Sequence, residues 1–142
     1  MSIRTADAEW HGTLKEGHGH MRFGGGAFDG AYSFNSRFAN GAGTNPEELI
    51  AAAHAGCFSM ALSADLGGAG FTADTVRTVA KVHLETVDGK PTITQIDLVT
   101  GAKVPGIDKA TFLKIAEGTK QNCPVSRLLK TAKITLDATL ES

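Results

Sequence analysis

Cysteine is scarce in this chain, with two in 142 residues. That is too few for a disulfide scaffold, so any sulfur chemistry has to be catalytic or redox. Excess charge of one sign is missing too. Lys and Arg number 14 against 15 Asp and Glu, a formal net charge of −1, which removes the electrostatic footprint of a nucleic-acid binder. The chain has neither a G-x-G-x-x-G nor a Walker pattern, so nucleotide binding is not indicated. Long unbroken apolar runs are also absent. The longest, Leu49 to Ala64, is interrupted by His54, Ser59 and Ser63 and flanked by Glu47, Glu48 and Asp65. A bilayer span needs about 20 predominantly apolar residues, so no membrane segment is expected. The stretch Met1–Asp7 has no apolar h-region, and the expected compartment is the cytoplasm.

What remains describes an ordinary globule: 42% hydrophobic and 20% charged residues in a length suited to one domain, 1–142. Glycine is the one excess, at 17 residues. The first 35 residues alternate loosely and are rich in Gly and His, as suits short strands joined by turns. Thr44-Asn45-Pro46-Glu47-Glu48 supplies cap candidates, a first-turn proline and two acids at the positive end of a dipole. It predicts a helix over about Pro46 to Leu66, stopped by Gly67-Gly68. Val76, Thr78, Ala80, Val82 and Leu84 alternate onto one face, Asp88-Gly89 reads as a hairpin turn, and Ile93 to Leu98 as the return strand. A second helix is expected over about Ile107 to Lys120, with Phe112, Ile115 and Ala116 inward. A short third follows from Cys123-Pro124, and a closing strand holds Ile134, Leu136, Ala138 and Leu140. The fold class is α+β, antiparallel strands packed on a few central helices.

The helix beginning at Pro46 carries the most information. It is apolar nearly all round, which requires burial on every side. A chain of this size seldom surrounds such a helix alone, so a second copy is expected to cover part of it. Cys57 falls on a stripe with Ile50, Ala53, His54, Met60, Ala61 and Ala64. Glu47, ten residues earlier, lies about 15 Å away along the axis and about 80° round it. It cannot touch Cys57 of its own helix. If both serve one site, an antiparallel partner helix related by a two-fold axis is the natural solution.

Asn35-Ser36-Arg37-Phe38, Gly43-Thr44-Asn45-Pro46-Glu47-Glu48-Leu49-Ile50, Ala53-His54-Ala55-Gly56-Cys57-Phe58-Ser59-Met60-Ala61 and Asn122-Cys123-Pro124-Val125-Ser126 together resemble the OsmC/Ohr family of organic hydroperoxide reductases. The resemblance covers essentially the whole chain and is nearest the OsmC branch, since Gly24-Gly25-Gly26 is followed by Ala27 where the Ohr branch has its functional arginine. It implies antiparallel sheets wrapped around central helices in an intertwined homodimer, and a thiol peroxidase of the antioxidant stress response that uses no metal or haem. Cys57 would attack the hydroperoxide and Cys123 resolve it, assisted by Arg37 and Glu47, with an external dithiol reductant of the dihydrolipoyl type.

The residue chemistry is compatible. A cysteine on a buried stripe stays protonated unless a cation stands beside it. Arg37 is a permanent charge, and Glu47 can orient it bidentately. Cys123 can condense with a Cys57 sulfenic acid and protect it from over-oxidation. Helix position alone favours Cys123 as the nucleophile, because a helix N-terminus lowers a thiol pKa; the resemblance favours Cys57.

Plainer readings stand beside these. Cys57 can be a small hydrophobe, Glu47 and Glu48 simple first-turn acids, and Arg37 a surface strand residue, with Arg22 an alternative guanidinium. His54, three residues before Cys57, allows a Cys–His hydrolase or a hydrogen-bonded packing residue. His11, His18 and His20 lack a third spaced metal ligand. Phe34, Phe38, Phe58, Met21 and Met60 could line an apolar pocket, in a peroxidase or in a binding protein that uses neither thiol, or be core.

Overall fold

The computed structural model describes all 142 residues. They divide into two compact units, Met1–Leu49 and Ile50–Ser142.

The first unit holds an antiparallel sheet of three strands, β1 (Ala6–His11), β2 (His18–Phe23) and β3 (Phe28–Tyr32). Its residues are mostly exposed, and only Gly19 is buried. Gly19 faces Trp10 on one side and Tyr32 on the other. Their rings lie 5.2 Å apart, and a Cβ at Gly19 would stand 2.7 Å from Tyr32 and 2.8 Å from Trp10. Only glycine admits that aromatic pair. After β3 a five-residue helix, α1 (Phe34–Phe38), is opened by a capping box in which Ser33 and Ser36 each satisfy the other's backbone N–H. Arg37 therefore sits on a helix and not on a strand.

The long helix α2 (Pro46–Gly68) begins in the first unit, and most of it belongs to the second. Asn45 caps it, accepting the Glu48 N–H at 2.8 Å. Gly70, at φ +92°, ends it: Phe71 N–H reaches Leu66 C=O and Gly70 N–H reaches Gly67 C=O, the paired bonds that close a helix through a left-handed residue. The helix thus runs through the Gly67-Gly68 pair expected to stop it. At 23 residues it is long and apolar enough to cross a membrane, which corrects the expectation of a segment too short and too polar. Its packing marks it as a core helix. His54, Phe58, Leu62 and Leu66, one face at four-residue spacing, are each 0% exposed.

The second unit continues with β4 (Thr75–Val87) and β5 (Lys90–Lys103), joined by Asp88 and Gly89 at φ 50° and 75°. Two positive φ angles suit a two-residue turn whose twist matches the flanking strands. Helix α3 (Lys109–Asn122), capped by Asp108, and helix α4 (Pro124–Leu128) lead to β6 (Lys133–Glu141). The sheet order is β4-β5-β6. Contrary to the antiparallel expectation, β6 runs parallel to β5, because two intervening helices carry the chain back before it re-enters the sheet. Phe58, Leu62 and Leu66 join Ile96, Leu98, Ala102, Phe112, Ala116 and Cys123 in one buried cluster. Phe58 thus belongs to the core and not to a pocket.

Candidate active site

Pro124 decides where the second thiol sits. A residue before proline is pushed out of the α region, and Cys123 is extended at φ −60°, ψ 140°. It ends α3 and caps α4 at once. Its Sγ accepts the Ser126 N–H at 3.4 Å and donates to Ser126 Oγ at 3.2 Å.

Cys57, on α2, meets this cap. Its thiol lies beside Cys123 and the Val125 backbone N–H. Both cysteines are free thiols, Cys57 half-buried and Cys123 buried. Burial pushes the Cys57 thiol up from its ordinary range and the neighbouring Cys123 pushes it further, with Val125 N–H alone pulling down. The expected stripe around Cys57 divides: His54 is interior, whereas Ala53, Met60 and Ala64 are exposed, so Cys57 lies at the margin between the two faces.

His54 does not bond to Cys57. Its Nε2 is 2.7 Å from Ser126 Oγ, while Nδ1 is buried without a partner. The Cys57–His54 dyad required by a hydrolase is therefore not formed. Ser126, which links Cys123 to His54, is the functional candidate that sequence reasoning passed over. The spacing Cys-Pro-x-Ser was the available signal, because a cap and its third residue bond reciprocally.

Arg37 and Glu47 come together in the first unit. Arg37 Nη2 donates to Glu47 Oε1 at 2.7 Å and Nε to Oε2 at 3.1 Å, the two-pronged geometry that fixes a guanidinium. Glu47 is 8% exposed. Glu48 has the plainer role of a first-turn acid, accepting from Asn45 Nδ2 at 3.1 Å. Arg37 also lines a cavity of about 310 Å³ walled by Trp10, Leu14, Tyr32, Phe34 and Phe38, so two of the five pocket candidates face this space. Met60 is 79% exposed. Arg22 pairs instead with Asp7 on the exposed sheet, at 3.3 Å. His11 pairs with Glu9 and His20 with Asp29, and nowhere do three or more His, Cys, Asp or Glu side chains converge as a metal site would need.

Residues 39–138 match the family model described as OsmC-like protein. The chain belongs to the OsmC-like family. It is 49% identical over 140 residues to the peroxiredoxin OsmC of Escherichia coli, covering 98% of this chain and 97% of the relative. Among solved structures it is similar to an organic hydroperoxide resistance protein OsmC of Legionella pneumophila, with a TM-score of 0.76 at 20% identity over 98% and 99% of the two chains. It is also similar to OhrB of Bacillus subtilis, with a TM-score of 0.69 at 24% identity over 96% and 98%. At those identities the two structures establish a shared α+β fold.

Proposed function

We propose that this OsmC-family chain is a cysteine-based peroxidase that reduces organic hydroperoxides to alcohols. The observation that carries the reading is the contact between the Cys57 and Cys123 thiols in a chain 49% identical to a peroxiredoxin. Cys57 thiolate attacks the outer peroxide oxygen, the O–O bond breaks, and the alkoxide leaves and is protonated to the alcohol. Cys57 becomes a sulfenic acid. Cys123 condenses with it, releasing water and forming a Cys57–Cys123 disulfide, which an external dithiol of the dihydrolipoyl type returns to two thiols. No metal or haem takes part, and hydrogen peroxide is the poorer substrate.

The thiol's raised pKa makes a nearby cation necessary, and the Arg37–Glu47 pair is the prepared source. We assign it to a second copy of the chain. The face of α2 formed by Ala53, Gly56, Met60, Ser63, Ala64 and Gly67 is exposed and nearly free of bulky groups. Helix packing against a two-fold mate would cover it and bring the partner's Arg37 to Cys57 at its margin. In that dimer both units work as a single OsmC-like domain, 1–142, and the cavity beside Arg37 takes the R group of ROOH, whose burial favours organic over hydrogen peroxide. The expected setting is the cytoplasm, in resistance to oxidative and osmotic stress.

One equivalent of cumene hydroperoxide, followed by thiol titration and mass spectrometry, tests the chemistry. The expected result is loss of two thiols and a Cys57–Cys123 cross-linked peptide. Survival of both thiols would sink the peroxidase and leave the Arg37-lined cavity as a binding site. A mixed dimer of Cys57→Ser and Arg37→Ala chains tests the shared site. Both lesions then fall in one site, the other works, and complete inactivity would overturn the arrangement.

A further inference from the structure

The peroxidase reading leaves two polar side chains of the thiol cluster without a task. Cys57 lies beside Cys123, and Cys123 donates to Ser126 Oγ. The single hydroxyl proton of Ser126 then remains for His54 Nε2, 2.7 Å away, since a serine hydroxyl donates once. Nε2 is therefore an acceptor and the ring proton sits on Nδ1, which finds no partner. Cys123, Ser126 and His54 form a one-directional row ending on an imidazole that is 0% exposed. A histidine kept only for packing would not need its basic nitrogen turned onto the cap of the resolving thiol.

We propose that His54, acting through Ser126, accepts the thiol proton of Cys123 as the Cys57–Cys123 disulfide forms. The proposal rests on the peroxidase reading of the two thiols. Cys123 sulfur attacks Cys57 sulfur of the sulfenic acid, the S–S bond forms and the S–O bond breaks. The Cys123 proton passes to Ser126 Oγ while the Ser126 proton passes to His54 Nε2. Hydroxide leaves Cys57 and is protonated to water when His54 returns the proton, so no oxidant beyond the hydroperoxide is required. In the reverse direction, a dithiol attacking Cys57 expels Cys123 as a thiolate, which the same row reprotonates. Ser126 touches a reacting atom; His54 acts only through it.

Burial alone lowers the His54 pKa, which keeps the ring neutral and able to accept. No ion pair includes His54, and Cys123 at the start of α4, with Cys57 of α2 beside it, is the titratable group in its row. As pH falls through the lowered pKa, below about 6.5, the ring becomes protonated and can no longer accept.

The test is rapid mixing with cumene hydroperoxide, resolving sulfenic acid formation (trapped with dimedone) from disulfide formation, and reading the ratio of the second rate to the first. His54→Gln keeps an acceptor for the Ser126 hydroxyl but takes no proton. Ser126→Ala cuts the row, and Ser126→Thr restores the hydroxyl. The ratio should fall about 100-fold in H54Q and S126A and recover in S126T. The wild-type ratio should also decline on acidification, with that limb absent in H54Q. Equal ratios in the wild type, S126A and H54Q, or failure of S126T to recover, would overturn the proposal. If H54Q does not fold, the two Ser126 variants decide. If the hydroperoxide consumes no thiol, the peroxidase reading fails on its own. Diamide then supplies a Cys57 adduct that Cys123 must displace, and the same comparison of variants still judges His54.

Discussion

In the unit Met1–Leu49 the candidate functional groups are a guanidinium on α1 and a carboxylate at the start of α2, 2.7 Å apart, in a unit whose sheet has almost nothing buried. In Ile50–Ser142 they are two thiols at the edge of a full apolar core, one of them driven toward its neutral form by burial. The first unit holds charge firmly and has little core; the second has the core and a thiol that burial keeps toward its neutral form. The contrast teaches that a buried thiol and the cation that activates it make opposite demands. Apolar packing raises a thiol pKa, whereas a guanidinium needs a carboxylate and access to water. In the proposed peroxidase, dividing them between two regions leaves reactivity to their meeting.

The sharpest way to break the comparison is to remove its nucleophile. Cys57→Ser should abolish hydroperoxide consumption measured by peroxide assay, while Cys123→Ser should still consume the first equivalent, then slow and accumulate over-oxidised Cys57 by mass spectrometry. Removing the charge should come next. Arg37→Ala is expected to lower kcat/KM for cumene hydroperoxide by about 10²–10³-fold, the usual loss for a group that stabilises charge developed in the transition state, with Arg37→Lys only a partial rescue because the two-pronged pairing is lost.

Stability should distinguish the units as well. Phe58→Ala empties a fully buried site in the second unit and should cost about 3–5 kcal/mol in denaturant unfolding. The smallest effect belongs to the sheet surface. Asp97 accepts hydrogen bonds from Thr135 at 2.6 Å, Gln95 at 2.7 Å and His83 at 2.6 Å, which hold its carboxyl well below the usual carboxylate range. Its folded pKa lies below the unfolded value of about 3.9, so the stabilisation is present above that pH and is lost as pH falls toward the folded value. Asp97→Asn should lower Tm slightly at neutral pH, and the difference should vanish in strong acid.

Much of this molecule was legible in one dimension. The period-two run Val76 to Leu84, the Asp88-Gly89 turn and the Asn45-Pro46 helix start are local, and each residue's conformational preference agrees with its neighbours'. The parallel β6 was not legible, because strand direction depends on where the α3–α4 crossover returns the chain. Helix α1 was missed because five residues, Phe34 to Phe38, carry no periodicity, and only the Ser33–Ser36 reciprocal cap marks them. The tie from His54 to Ser126 joins residues 72 apart in sequence, beyond the reach of any spacing rule.

The sequence by itself determined most of the elements, the apolar helix, the pair of cysteines and the family, because these rest on local preference and on motifs in a fixed order. Tertiary structure decided that Pro124 presents the Cys123 thiol to Cys57, that Glu47 pairs with Arg37 while Glu48 stays a first-turn acid beside the Asn45 cap, and that His54 turns away from Cys57 toward Ser126. Hydrogen bonds between distant segments depend on direction and distance at the scale of a single bond length. Composition and periodicity leave that scale open until packing closes it.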